Sequence, residues 1–280
     1  MNAITEQDIL RRVGNLPSLP TVVLELLGVI EREGVDLDSL VQKIEQDQAL
    51  TAKTLRMANS SFYGMARQIS TLQEAIAIVG LHTVRRLAMT AALMGTFAQA
   101  TPATLDLAPF WRHALGAAVC ARELAVQMEL NADQAYVAGL LHDIGRLVLA
   151  TQFEPQYRAA MAYRAEHDCS LLQAERSVLD LDHAMAAQAL LQHWNFPQAL
   201  QQAVTSHHAA HCAGFLPLTR VVMAADAMAH ALDFSDDPDD LVPAVPVGLW
   251  QHLGLNDAVL LEVLSLAEKQ FEAARVALHL

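Results

Sequence analysis

The sequence predicts an all-helical protein, on three observations. Apolar residues recur at three- and four-residue intervals along nearly the whole chain, and alternating β-branched runs are absent. The breaks between periodic segments carry helix caps, glycines or prolines. Thr21 to Arg32 stacks Val22, Val23, Leu26, Leu27 and Ile30 in one stripe, the pattern of an amphipathic helix. A short helix over Asp38–Glu45 follows a cap at Asp36 or Asp38. A helix over Ala49–Ala58 gives way to the turn residues Asn59 to Gly64. Thr71 and Glu74 have the spacing of a capping box ahead of Ala75–Val79. Gly80 interrupts the pattern, and a long helix runs from about Leu81 to Phe97.

The polar segment Gln99 to Thr104, with Pro102 inside it, is aperiodic and marks the expected boundary between two helical bundles, 1–104 and 105–280. In the second bundle the periodicity predicts helices over 109–129, 132–141, 155–167, 170–180, 182–194, 197–207 and 217–232. An acidic, Pro-containing loop spans Asp233 to Pro246, and a last amphipathic helix runs from about Asn256 to Leu278.

Composition excludes several function classes. Hydrophobic residues make up 53% of 280, yet the most apolar stretches, Leu87–Ala98 and Val221–Leu232, are much shorter than the ~20 residues of a membrane span. The first residues lack a basic segment followed by an apolar run, so a cytoplasmic protein with no membrane association is expected. Cys120, Cys169 and Cys212 are few and far apart, which suits neither a disulfide framework nor a thiolate zinc site. A net charge of −13 repels phosphate backbones and argues against nucleic acid as a partner. Arg85-Arg86 is the one basic pair of note, and such a pair is ordinarily a solvated helix edge.

The chemistry-bearing residues lie in the second bundle. His113 shares a face with Ala117, Cys120, Ala121 and Leu124; His183 is in register with Ala187, Leu190 and Trp194; Asp226 is in register with Leu218, Val222 and Ala229. His142-Asp143 stands at a helix end, with Gly145 expected to permit a turn, and His207-His208 closes another helix. Singly, each of these is most simply a hydrogen-bonded core group. Together they put too much unpaired polarity on apolar faces, and a carboxylate such as Asp226 needs a partner, a proton or a cation there. Imidazole and carboxylate ligands suit iron, manganese, zinc or nickel alike, so spacing does not name the metal.

The segment Gly139-Leu140-Leu141-His142-Asp143-Ile144-Gly145-Arg146 resembles the HD signature of metal-dependent phosphohydrolases. The likeness extends to the HDOD branch of that superfamily through Leu16-Pro17-Ser18-Leu19-Pro20, Asp47 to Ser60, Ile69 to Ile76, Val79-Gly80, Phe110 to His113, Asp182-His183-Ala184, and Trp194 to Pro197 ahead of His207-His208. It covers residues 10 to 232 or so. It implies an HD-like helical fold for the C-terminal bundle, related to the HD-GYP cyclic di-GMP phosphodiesterases. It also implies one or two cations, the first held by His113, His142, Asp143 and Asp226, the second by Asp143, His183, His207 and His208.

Three departures from the phosphodiesterases argue against that activity. They carry lysine where this chain has Arg146, and an arginine cannot readily give up a proton. They carry a Gly-Tyr-Pro loop where this chain reads Ala209 to Phe215, and the trinuclear members carry a glutamate at the position of Pro109. The resemblance therefore implies a signal-transduction module acting through contacts with a protein partner, with a Leu- and Met-rich N-terminal bundle as the candidate groove. The alternative is a phosphohydrolase acting on a phosphate-containing ligand, with Asp143 and Arg146 as its catalytic residues. The pattern of residues leaves the oligomeric state open.

Overall fold

The computed structural model describes residues 4–16, 18–19, 48–98 and 102–280, and it is helical throughout, with no strand among the described residues. Before residue 99 the described helices are α1 (Glu6–Val13), α2 (Gln48–Ala58), α3 (Leu72–Val79) and α4 (Leu81–Phe97). After it come α5 (Leu107–Gln127), α6 (Ala132–Leu141), α7 (Ile144–Gln152), α8 (Glu154–His167), α9 (Leu171–Leu179), α10 (His183–His193) and α11 (Gln198–Thr205). The chain closes with α12 (Pro217–Ala231), α13 (Leu249–Leu253) and α14 (Asp257–Leu278). The helices expected over Thr21–Arg32 and Asp38–Glu45 lie outside the described residues, as do Pro17, Pro20, Asp47 and 99–101.

Local chemistry sets the helix ends. The Asp106, Asn131, Ser170, Asp182 and Asn256 side chains each accept a hydrogen bond from a first-turn amide, satisfying a donor that the helix leaves free. Thr71 caps α3 by accepting from the Glu74 amide, while the Glu74 carboxylate turns away to Arg67. Gly80, at φ +80°, turns the chain by 106° between α3 and α4. No single described helix is long and apolar enough to cross a membrane.

The helices share one apolar core. α5 lies at its centre, packed on α6, α12 and α14; α7 lies on α10, and α8 on α9. The last helix, α14, touches α5 on one side and α2 on the other. Arg56 donates to the Ala277 carbonyl at 2.8 Å and Gln270 to Glu123 at 2.8 Å, so polar bonds fasten both flanks of α14. Met57 and Met89 are buried in this core, whereas Met65 is exposed.

Several features depart from the sequence expectation, and neither α7 nor α13 has a counterpart among the expected helices. α1, closed by a Thr5–Asp8 capping box, has no counterpart among the expected helices. Gly145 does not make a turn: it is the second residue of α7. A Cβ there would lie 1.8 Å from the His183 carbonyl oxygen, so its role is to let the α7 and α10 backbones touch. Arg85 and Arg86 are not a solvated edge. They are 5% and 9% exposed and reach across to Asp133, in the first turn of α6, at 3.0 and 2.8 Å. The basic pair considered for nucleic acid therefore faces inward, spent on a carboxylate.

Candidate metal centre

Five segments bring their polar groups to one place. α6 ends at Leu141 and α7 begins at Ile144, so His142 and Asp143 occupy the break between them, where successive side chains turn into the same space. His113 comes from the middle of α5, His183 from the first position of α10, and Asp226 from α12. His207 and His208 follow the end of α11. All except His208, which is partly exposed, are buried.

Two clusters result, with Asp143 between them. In the first, Asp226 Oδ1 lies 3.2 Å from His113 Nε2 and 3.3 Å from His142 Nε2, and the two ring nitrogens are 3.1 Å apart. In the second, Asp143 Oδ1 lies 3.2 Å from His183 Nε2 and 3.6 Å from His207 Nε2, and His183 and His208 bring their Nε2 atoms to 2.9 Å. Asp143 Oδ1 is also 3.6 Å from His142 Nε2, so this carboxylate faces both groups. Among the described residues, the sets His113–His142–Asp226 and Asp143–His183–His207–His208 each place their ligand atoms within 4.8 Å of one another.

The orientation of the rings bears on what the clusters can hold. His142 donates from Nδ1 to the Gly139 carbonyl at 2.7 Å, and His207 from Nδ1 to the Val204 carbonyl at 2.6 Å. His183 donates from Nδ1 to Glu175 at 2.6 Å, and the same carboxylate accepts the His183 amide at 2.9 Å. With Nδ1 as donor, a neutral ring presents the Nε2 lone pair to the centre, the tautomer that ligates metals. Among the described residues His207 Nε2 is buried without a hydrogen-bond partner, 3.6 Å from Asp143 Oδ1. Lone pairs crowding onto carboxylate oxygens are an arrangement that a divalent cation satisfies, and the donor set fits one.

The electrostatics agree. Burial alone would raise the Asp226 carboxyl, yet hydrogen bonds from His113, His142 and His230 hold it well below the usual range. Asp143 is likewise low, because burial is outweighed by His142 and His183. Burial opposes charge on His183, but Glu175 and Asp143 carry its titration well above the usual imidazole value. His208 is pushed down to about 2 by burial and by its neighbours His207 and His183. The acidic groups thus demand positive charge, which the chain supplies through Arg146 on Asp143 and by protonating some of its imidazoles.

Both clusters open onto a cavity of about 470 Å³. Arg146 lines it, donating to Asp143 Oδ2 at 3.0 Å, with its guanidinium 5.7 Å from the Phe110 ring centre. Arg164 lines it as well and is hydrogen-bonded to the Asp239 carbonyl. Asp106, Asp237 and Asp240 also line this space, and Leu241 to Ala244 of the acidic loop form part of its wall.

Three residues near the site escaped the sequence reading. Glu175, fully buried behind His183, offers only a carboxylate among apolar neighbours as its signal. His230 follows Asp226 by one turn of α12, a spacing that puts both on one face. Asp240 lies in an irregular loop with no period to mark it.

A family model described as the HDOD domain matches residues 16–210. An uncharacterized protein of Treponema pallidum (strain Nichols) is 28% identical over 239 residues, which is 83% of this chain but 45% of that protein, so the chain spans less than half of this relative. Among solved structures, an HDOD domain protein of unknown function from Geobacter sulfurreducens superposes with a TM-score of 0.78 at 24% identity, covering 95% of this chain and 96% of that one. A protein from Shewanella amazonensis SB2B, named as a candidate phosphohydrolase, gives 0.72 at 24% identity over 96% and 98%. These likenesses show a shared fold.

Proposed function

The chain belongs to the HDOD domain family, and on that premise we propose that it is a regulatory signalling module that holds one or two divalent cations and acts through contacts with a protein partner. In this reading residues 1–104 supply the partner-facing half and residues 105–280 the cation-holding half. His113, His142, Asp143 and Asp226 hold the first cation, and Asp143, His183, His207 and His208 the second. The observation that carries the reading is the wall of the cavity. Its two guanidiniums, Arg146 and Arg164, are already engaged by Asp143 and by the Asp239 carbonyl, while Asp106, Asp237 and Asp240 line the same space. Such a pocket has donors for cations and little free positive charge to grip a phosphate.

A second reading, a metal-dependent phosphohydrolase, is favoured by one observation. The donor set opens onto a cavity within the range of small-molecule sites rather than being sealed in the core. A bound cation would there stabilise charge developing on a phosphoryl group. Asp143 would hold it in place, and Arg146 would swing from Asp143 to the phosphate.

The deciding experiment loads the purified chain with Mn2+, Fe2+ or Zn2+, measures metal content, and assays cyclic di-GMP, nucleotides and a generic phosphodiester. Bound cations without turnover support the signalling reading. Turnover that disappears on chelation and in Asp143→Ala overturns it in favour of the phosphohydrolase.

A further inference from the structure

His230 shares the inward-facing Nε2 of three of the histidines assigned to the centre. His142, His183 and His207 each direct Nδ1 outward to an oxygen acceptor and Nε2 inward toward Asp143 or Asp226. His230 turns Nε2 inward in the same way and sets Nδ1 against a carboxylate, a charge contact rather than a hydrogen bond. Its Nδ1 lies 2.5 Å from Asp240 Oδ1, and its Nε2 lies 3.3 Å from Asp226 Oδ1. Asp226 Oδ1 is thereby ringed by three Nε2 atoms at nearly equal range: 3.2 Å for His113, 3.3 Å for His142 and 3.3 Å for His230. The His113 and His230 rings are 4.2 Å apart between centres, and His230 lines the same cavity as the two clusters.

We propose that His230 is a further ligand of the first cation, joining His113, His142, Asp143 and Asp226, and that Asp240 is the carboxylate that orients it. The proposal rests on the cation-holding reading above and extends it to two residues outside the assigned set. It explains why an acidic loop residue reaches back into the site. A ligating imidazole whose second nitrogen bonds a carboxylate is fixed in ring orientation and made more basic. It also gives the first cation a fifth donor beside the four assigned to it.

Asp240 is itself fixed, accepting from Ser235 Oγ at 2.6 Å, while Arg112 donates to the Ser235 carbonyl at 2.8 Å. The first turn of the acidic loop is therefore tied to α5 and to His230 together. Occupancy of the first position and the seating of this loop should depend on each other.

The test titrates the chelator-stripped full chain with Co2+ alone, reading equivalents by calorimetry and ligand field by visible absorption. Wild type should take two equivalents. His230→Gln should weaken one of them by at least tenfold and change its spectrum, and Asp240→Asn should weaken the same equivalent by about 10- to 100-fold. Asp240→Asn is nearly isosteric and on a loop, so it keeps the test open should His230→Gln fail to fold, which far-UV dichroism reports. If the variants leave both equivalents and the spectrum unchanged, the His230 assignment is refuted while the centre stands. A third wild-type equivalent that His230→Gln abolishes also refutes it, in favour of a separate cation on His113, His230 and Asp240. A wild-type chain that takes no Co2+ refutes the centre itself, and His230 with it.

Discussion

Asp143 sets its Oδ1 atom 3.2 Å from His183 Nε2 and 3.6 Å from His142 Nε2, one carboxylate oxygen between the two imidazole groups. A substitution here should disturb both cation positions, unlike a substitution on either flank. Asp143→Asn is expected to weaken both by about tenfold or more, since an amide offers a poorer ligand without changing the packing. Metal analysis after dialysis against a fixed Mn2+ activity checks this. Loss of only one equivalent would show that Asp143 serves one group.

Glu175 is expected to act on the second position alone. It touches no other group of the centre through hydrogen bonds except His183, whose amide and Nδ1 both bond its Oε2 atom. Glu175→Gln should reduce the affinity of that position by about 10- to 100-fold and spare the first. Zn2+ competition with a chromogenic chelator would read the two affinities separately.

Gly145→Ala tests the contact between α7 and α10. The new methyl would meet backbone atoms, the His183 carbonyl oxygen at 1.8 Å and the Ala187 nitrogen at 2.7 Å, and no side-chain rotation relieves that. Overpacking usually costs about 1–3 kcal/mol, and an overlap with backbone belongs at or beyond the upper end. Urea denaturation of the metal-free chain measures it, and an unchanged midpoint would contradict the close approach.

Asp133 supplies a pH prediction away from the centre. Burial would raise its carboxyl, but His82, Arg86 and Arg85 outweigh that and lower it. A carboxylate whose folded pKa lies below its unfolded value of about 3.9 adds stability that is complete above the unfolded value. That stability is lost as the pH falls toward the folded one. Asp133→Asn should cost about 2–4 kcal/mol at pH 7, less than for a wholly buried pair, because Arg85 and Arg86 lose their partner. The gap between variant and wild type should close on acidification below about pH 4. Chemical denaturation across pH 3–7 checks both the size and the sign.

The limits of α4 and α6 agree with the periodicity, helped by the break at Gly80 and by the Asn131 cap. α7 was not legible: Ile144, Leu147, Val148, Leu149 and Ala150 are all buried, but Gly145 after His142-Asp143 reads as the end of the preceding helix. A glycine's role in backbone contact is invisible until the partner helix is placed. His113, His183 and Asp226 stood out because each interrupts an apolar stripe, and the structure brings them together. Asp240 interrupts nothing, being one acid among several in a loop, and only its distance to His230 sets it apart.

The position of α14, fastened to α2 by Arg56 and to α5 by Gln270, bears on how this protein can be dissected. Trimming residues 257–278 would uncover apolar flanks on both α2 and α5. A deletion series working inward from that helix would thus register collapse of the early helices as though a binding determinant had been removed. Point changes on α14, such as Gln270→Ala, would separate the clasp from whatever its outer face contacts.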